Sequence, residues 1–414
     1  MSVISEHSHA GTAEREHLFP LATPLRDAIS RGTLTIVDAD GNAHRFGRQG
    51  TGPHAGIRLH NRRLALTLLH STELRFGEAY MDGKITIEEG TLRDLVEIFA
   101  LNSASGRLVP WQTGAEWFVG LRRQLRQYNP IKRARANVAH HYDLSDRLYE
   151  LFLDPNRQYS CGYFRSPDDT LETAQVNKMR HLAGKLLIEP GMRVLDIGSG
   201  WGGLAMYLAR ETGAEVTGLT LSAEQHKYAS LQALKSGLAD RVQFHLRDYR
   251  EETGVYDRIV SVGMFEHVGI NHYAEFFAKV RGLLHAGGVA LLHAIGRRDG
   301  PGTTSAWLRK YIFPGGYAPA LSEVLPHIEA SDLWVADIEI LRLHYARTLN
   351  EWHRRFTANR AQIAELYDER FCRMWELYLL GCEMQFRHLD MMVFQIQLAR
   401  EVDAVPITRD YLCA

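Results

Sequence analysis

Little in this sequence points away from an ordinary globular protein. Its 414 residues hold four cysteines, Cys161, Cys372, Cys382 and Cys413, with no Cys-x-x-Cys pair and no disulfide-like spacing. That excludes a disulfide scaffold and fits a reducing, cytoplasmic setting. No run of 18 apolar residues occurs, so no segment reads as a membrane span. Net charge is −1, so no global field draws in nucleic acid or a membrane, and nucleic acid is not an expected partner. Residues 1–20 are polar, carry His7, His9 and His17, and lack the apolar core of a signal peptide. They read as a flexible tail, and no metal site is expected there or elsewhere. A hydrophobic content of 45% and a charged content of 23% are ordinary, and the length suggests two or three domains.

What is present centres on Val194-Leu195-Asp196-Ile197-Gly198-Ser199-Gly200-Trp201-Gly202-Gly203-Leu204. The apolar run Arg193–Ile197 reads as a buried strand that breaks into glycines and then into a helix pattern. Glycines here permit a tight turn, close backbone approach to a ligand, and N–H groups presented at a helix start. Gly198, Gly200 and Gly203 satisfy the GxGxxG spacing, which makes a dinucleotide one candidate ligand. A dinucleotide site wants a carboxylate at the end of the next strand. Here Glu215–Thr220 runs into Leu221-Ser222, with no acid before Glu224. Asp196, directly before the glycines, instead resembles the first motif of S-adenosylmethionine (SAM) methyltransferases.

Further strands are expected at Val242–Leu246, Tyr256–Val262, 289–295, 338–343 and 391–398, with helices at 223–236 and 273–284 between them. This alternation predicts an α/β fold with a parallel, Rossmann-like sheet, and a helical insertion (about 350–389) before the last strand. Ligands of such sheets bind beyond the carboxyl ends of the strands. The chemistry-bearing residues there are Asp196, Thr220, Asp248, Glu266 and His293. Glu266 and His293 follow neighbouring strands and are candidates for proton transfer, or for holding an anion or a metal.

Ahead of this domain, residues 21–115 read as a small α+β accessory or lipid-binding domain, with a strand at 34–37, a turn at 38–42 and a helix at 92–101. Residues 116–140 form a basic linker. Arg122, Arg123, Arg126, Lys132, Arg133 and Arg135 interleave with Trp117, Phe118 and Tyr128, and no acid occurs from Trp117 to Tyr142. Such a segment suits a membrane surface, or equally a solvated linker helix. The catalytic domain is expected to span 141–414.

Several motifs together resemble the cyclopropane-fatty-acid-phospholipid synthase family. They are His141-Tyr142-Asp143-Leu144, Tyr159-Ser160-Cys161-Gly162-Tyr163, the glycine motif, Leu219-Thr220-Leu221-Ser222, and Gly263-Met264-Phe265-Glu266-His267-Val268-Gly269. Leu292-His293-Ala294-Ile295-Gly296, Tyr311-Ile312-Phe313-Pro314-Gly315-Gly316 and Tyr345 with Arg347-Thr348-Leu349 continue the match. The resemblance implies a class I SAM-methyltransferase sheet and transfer of a methylene from SAM to a cis double bond of a phospholipid acyl chain, closing a cyclopropane. A methyl- or methylene-branched product, or a small soluble acceptor, are the alternatives. It implies a bicarbonate ion as base, held by Glu266, His293, Tyr345 and the backbone at Cys161 and Ile295. Cys382 matches an older proposal of a cysteine nucleophile. The implied SAM contacts are Tyr159, Ser160, Asp196, Gly198, Gly200, Trp201, Gly202, Thr220, Ser222, Gln225, Asp248 and Tyr249. The family also implies a homodimer that associates transiently with a phospholipid membrane surface. Tyr317-Ala318-Pro319-Ala320 departs from the family's usual Leu-Pro-Ser type of sequence.

Overall fold

The computed structural model describes residues 20–70, 72–104 and 145–412. The polar tail, the basic segment 116–140, the His141-Tyr142-Asp143-Leu144 motif and Cys413 lie outside the described residues. By internal contacts the chain divides into two compact units.

The first unit contains α1 (Ala22–Ala28), β1 (Thr33–Val37), β2 (Ala43–Gly47), β3 (His54–Leu59), α2 (Leu64–His70), α3 (Thr72–Met81), β4 (Ile85–Glu89) and α4 (Leu92–Ser103). Its sheet runs β2-β1-β3-β4, with β1 and β3 parallel and the outer pairs antiparallel. The expected turn closes β1 onto β2, where Asp38 Oδ1 accepts from the backbone of Asp40 and Asn42, both at 2.9 Å. Leu34, Ile36, Ile57, Leu59, Leu95 and Ile98 fill the core. Alternating strand positions and one stripe of α4 therefore face inward.

The second unit carries α5 (Asp146–Phe152), α6 (Leu171–Leu186), β5 (Arg193–Ile197), α7 (Gly203–Thr212), β6 (Glu215–Thr220), α8 (Ala223–Lys235), β7 (Val242–Leu246), β8 (Tyr256–Val262), α9 (Tyr273–Leu283) and β9 (Leu284–Arg297). After the short helix α10 (Ala306–Tyr311) come α11 (Leu321–Glu329), β10 (Trp334–Ile340) and α12 (His344–Ala358). Helices α13 (Arg360–Leu366) and α14 (Glu369–His388) precede β11 (Met391–Ala399). The seven-stranded sheet runs β10-β11-β9-β8-β5-β6-β7. The sheet is mixed, because β11 runs antiparallel to both its neighbours. Strand order reverses between β5 and β8, so a crevice opens beyond their carboxyl ends. Val194 and Val260 pack with the α6–α8 face, Leu195 and Ile259 with the α9–α11 face. This two-sided burial explains the unbroken apolar runs.

One boundary differs from the sequence reading. Residues 360–389, expected as an insertion of the catalytic domain, cluster with the first unit. The reason is ionic as well as apolar: Glu383, fully buried on α14, takes Arg93 of α4 at 2.8 Å and Arg387 at 2.9 Å. His388 meets Glu97 at 2.9 Å.

Candidate active site

The corner after β5 is built from backbone that only glycine adopts readily. Gly198, Gly200 and Gly202 have φ of +84°, +55° and +83°. The N–H groups of Gly198 and Ser199 both donate to Leu219 O, at 2.9 and 2.8 Å, tying the turn to β6. A Cβ on Gly198 would come 2.7 Å from Met264 Cβ, and one on Gly202 2.5 Å from Phe244 Cζ. Those two glycines serve packing. A Cβ on Gly200 would meet only Gln225 Nε2, at 4.0 Å. It would point instead into a cleft of ≈ 1140 Å³, open solvent at its mouth included.

Of the residues implied as SAM contacts, Tyr159, Ser160, Asp196, Gly198, Gly200, Trp201, Thr220, Gln225, Asp248 and Tyr249 line this cleft. Thr220 Oγ1 donates to Gln225 Oε1 at 2.9 Å. Trp201 Nε1 donates to Asp146 Oδ1 at 3.0 Å, and its ring lies 4.6 Å from Tyr149. Asp248 is held by Arg250, with Nε at 2.8 Å and Nη2 at 2.7 Å. Ser222 and Gly202 are absent from the lining. Ser222 caps α8, accepting from Gln225 N at 3.3 Å. Asp196 is buried, and no described residue hydrogen-bonds its Oδ2. Burial raises its pKa to about 7, against the lowering charge of Lys178.

The candidates for proton transfer, Glu266 and His293, lie where β9 outruns β8. The last β8 pair is Val262 with His293. Two residues on, the Ile295 N–H has no β8 partner and donates to Glu266 Oε1 at 2.6 Å. Glu266 sits in the 3-10 turn Phe265–His267, flanked by the cleft-lining Met264 and His267. Its backbone oxygen accepts from Tyr317 N at 2.9 Å. Its Oε2 is buried with no hydrogen bond among the described residues, and burial raises its pKa to about 7. His293 is 2% exposed, and its pKa is pushed down to about 3 by burial and then by the Lys178 charge. Its ring is therefore neutral. Nδ1 lies 3.1 Å from Gln395 Nε2 on the paired strand β11. With that amide donating, the proton sits on Nε2.

Tyr345 lies in the first turn of α12 and is 8% exposed. That turn is docked onto the strap carrying Cys161: Gly162 N donates to Thr348 Oγ1 and Phe164 N to His344 Nδ1, each at 3.0 Å. Cys161 is buried, and burial pushes its thiol pKa up. Cys382 lies on α14, in the first unit.

Three residues escaped the sequence reading. Lys178 Nζ donates to Gln158 Oε1 and Ser160 Oγ, both at 2.7 Å. Gln175 Nε2 donates to the carbonyls of Ser160 and Gln158, at 3.0 and 3.3 Å. Gln395 orients His293. All three are fully buried polar side chains. A lysine and glutamines inside a helix or strand pattern carry no signal of burial, so only the fold reveals them.

The cleft fits SAM on its own features. The backbone at Gly200 is open to close approach, and the unpartnered Asp196 oxygen suits an ammonium group. A family model described as mycolic acid cyclopropane synthetase matches residues 130–396. A domain of unknown function, DUF7884, matches residues 25–107. The chain is 38% identical over 368 residues to the cyclopropane-fatty-acyl-phospholipid synthase of Escherichia coli K12, spanning 86% of this chain and 90% of that protein. It is 36% identical over 406 residues to the tuberculostearic acid methyltransferase UfaA1 of Mycobacterium tuberculosis, spanning 91% and 88%. The crystal structure of mycolic acid cyclopropane synthase CmaA1 complexed with SAH and CTAB superposes with a TM-score of 0.62 at 35% identity, over 66% of this chain and 99% of that one. The chain belongs to the mycolic acid cyclopropane synthetase family and is a SAM-dependent lipid methyltransferase of the class I fold.

Proposed function

We propose that this enzyme closes a cyclopropane ring on the cis double bond of an unsaturated phospholipid acyl chain. The carrying observation is the buried Glu266, between Phe265 and the cleft-lining His267, with Oε1 on the Ile295 N–H at 2.6 Å and Oε2 unpartnered among the described residues, and with the buried His293 two residues before Ile295 on β9. SAM, held by the cleft residues, supplies an electrophilic methyl group. An alkene is a weak nucleophile, so the chain's residues must orient it and keep out water that would capture the positive charge developing on it. Burial of Glu266, His293 and Tyr345 supports that exclusion. Tyr317, 2% exposed with its hydroxyl donating to Glu323 Oε2 at 2.7 Å, adds a fixed aromatic wall nearby.

Ring closure requires a base for a proton of the new methyl; a branched alkene forms by loss of a proton from the same cation, and a saturated branch needs a hydride donor instead. Glu266 Oε2 suits a group that can donate to it, while His293 Nε2–H and the Tyr345 hydroxyl suit an anion. Bicarbonate meets both demands and would supply the base. The enzyme is further proposed to work as a cytoplasmic homodimer on phospholipid membranes, with 116–140 contacting anionic headgroups.

Expression in a host with unsaturated phospholipids tests the reading. The expected product gains one CH2 and resists ozonolysis at the former double bond. A branched alkene has the same mass and is cleaved; a saturated methyl branch is two hydrogens heavier. Either result would move the assignment to a methyl-branching enzyme, the reading favoured by the likeness to UfaA1 over 91% of the chain.

A further inference from the structure

Helix α6 buries an ammonium group without a matching hydrogen-bonded carboxylate. A buried cation is costly unless opposed by a negative partner. The two partners of Lys178 Nζ, Gln158 Oε1 and Ser160 Oγ, are both neutral. Asp154 and Asp196 act on it only through space. The other cations on the cleft differ. Arg250 is paired with Asp248 at 2.7 Å, Arg247 with Glu252 at 2.9 Å, and Arg157 with Glu150 at 2.5 Å. Burial lowers the Lys178 pKa only to about 8, so the charge persists at neutral pH.

Ser160 carries that charge to the cleft. Lys178 donates to Ser160 Oγ, so the hydroxyl proton must point away from the lysine. Ser160 lines the cleft, and a hydroxyl polarised by a cation is a stronger donor. Gln175 fixes the backbone on the same strap, so the donor is held in place. On the same cleft Asp196 offers the opposite sign, with its unpartnered Oδ2. A ligand end bearing both a carboxylate and an ammonium group satisfies the two together.

We infer that Lys178 is a positioning residue: it makes Ser160 a committed donor to the carboxylate of the cofactor's amino-acid moiety, while Asp196 takes that moiety's ammonium group. This rests on SAM occupying the cleft, and it orients the adenosine toward Asp248 and Tyr249.

The test is calorimetry on the full chain with two probes, S-adenosylhomocysteine and its decarboxylated analogue. Lys178→Met and Ser160→Ala should each weaken S-adenosylhomocysteine by about 10- to 100-fold, the range for a charge-assisted hydrogen bond. Both should leave the decarboxylated analogue within about twofold, because the lost contact is to the carboxylate alone. The double variant should be little worse than either single one, since both remove the same donor. Equal weakening of both probes would overturn the inference and return Lys178 to a purely structural part. If Lys178→Met fails to fold, Ser160→Ala still decides: undiminished affinity for S-adenosylhomocysteine refutes the proposal. Failure of the unaltered protein to bind either probe would instead overturn SAM occupancy of the cleft.

Discussion

Asp196 and Glu266 stand at the ends of neighbouring strands and share their physics, yet they are equipped for different work. Both are buried, both have one oxygen that no described residue bonds, and burial raises both to about 7. Their surroundings separate them. Asp196 feels a buried cation, Lys178, and opens onto the large cleft. Glu266 has no cation bonded to it among the described residues, and its Oε1 accepts from the neutral Ile295 N–H. A carboxylate beside a buried cation and an open cleft suits the binding of a cationic group. A carboxylate with only neutral donors is free to gain or lose a proton, which is what a proton-handling group requires.

The largest effect should come from the proton-handling end. Glu266→Gln should lower turnover by about 10²–10⁴-fold, the usual weight of a general-base assembly. Affinity for S-adenosylhomocysteine should stay within about twofold, because the cofactor end is intact. Methyl transfer to phospholipid vesicles and calorimetry on the same preparation measure the two separately. A parallel loss of affinity would erase the distinction between the two carboxylates.

The cofactor end breaks differently. Gly200→Val places its side chain in the cleft rather than in the protein, since only Gln225 Nε2 lies as near as 4.0 Å to its Cβ. Binding of S-adenosylhomocysteine should fall by on the order of 100-fold, the scale of an ångström-sized misplacement. Both changes strain a positive-φ backbone, but Gly198→Val, whose Cβ would also press on Met264 at 2.7 Å, should lose more thermal stability and less affinity than Gly200→Val. Reversal of the two outcomes would place the cofactor elsewhere.

Titration sharpens the comparison at smaller scale. Folded Glu266 keeps its proton up to about pH 7, whereas the unfolded group releases it near 4.5. Between those values the unfolded state binds fewer protons, so stability falls as pH rises and levels off above about 7. The full span is on the order of 3 kcal/mol. Glu266→Gln should flatten its share of that slope in ligand-free protein, as read by denaturant titrations at several pH values. Asp196→Asn should do the same for its own share. An unchanged slope in both variants would show that neither carboxylate titrates in this window.

Much of this was legible in the chain itself. The glycine corner, Asp196, Glu266 and His293 announce themselves because they depart from the apolar periodicity of an α/β sheet, whereas Tyr345 is implied by the family resemblance alone. Strands β5 to β8 appear at the residues expected, since burial on both faces makes them continuous apolar runs. The edge strand was placed late, at 338–343 rather than Trp334–Ile340. Trp334 and Val335 are exposed there, so no alternation marks its start. Strands β2, β3 and β4 of the small sheet were not foreseen; β2 and β4 are short and half-exposed. Lys178, Gln175 and Gln395 were illegible for a different reason. Their work depends on partners contributed by other elements, which no local pattern encodes.

The smallest expected effect concerns Cys382, the site of the proposed nucleophile. Burial pushes its thiol pKa up to about 12, so at pH 7 only about one thiol in 10⁵ is ionised. No cation or imidazole acts to lower it, whereas reactive thiolates owe their low pKa to such neighbours. The proposed chemistry has no need of it either, because in it the double bond is itself the nucleophile and the Glu266–His293 end takes the proton. Within the first unit, α14 is a packing helix: Trp375, Leu379, Leu380 and Met384 on it are buried. Cys382→Ser should therefore keep the rate within about threefold, with a modest stability cost of about 1 kcal/mol from the altered packing. Steady-state rates on vesicles and a melting curve check both figures. Complete loss of turnover with normal melting and normal S-adenosylhomocysteine binding would mean that a thiolate forms there during the reaction, and the proton-handling assignment of Glu266 would have to be shared with it.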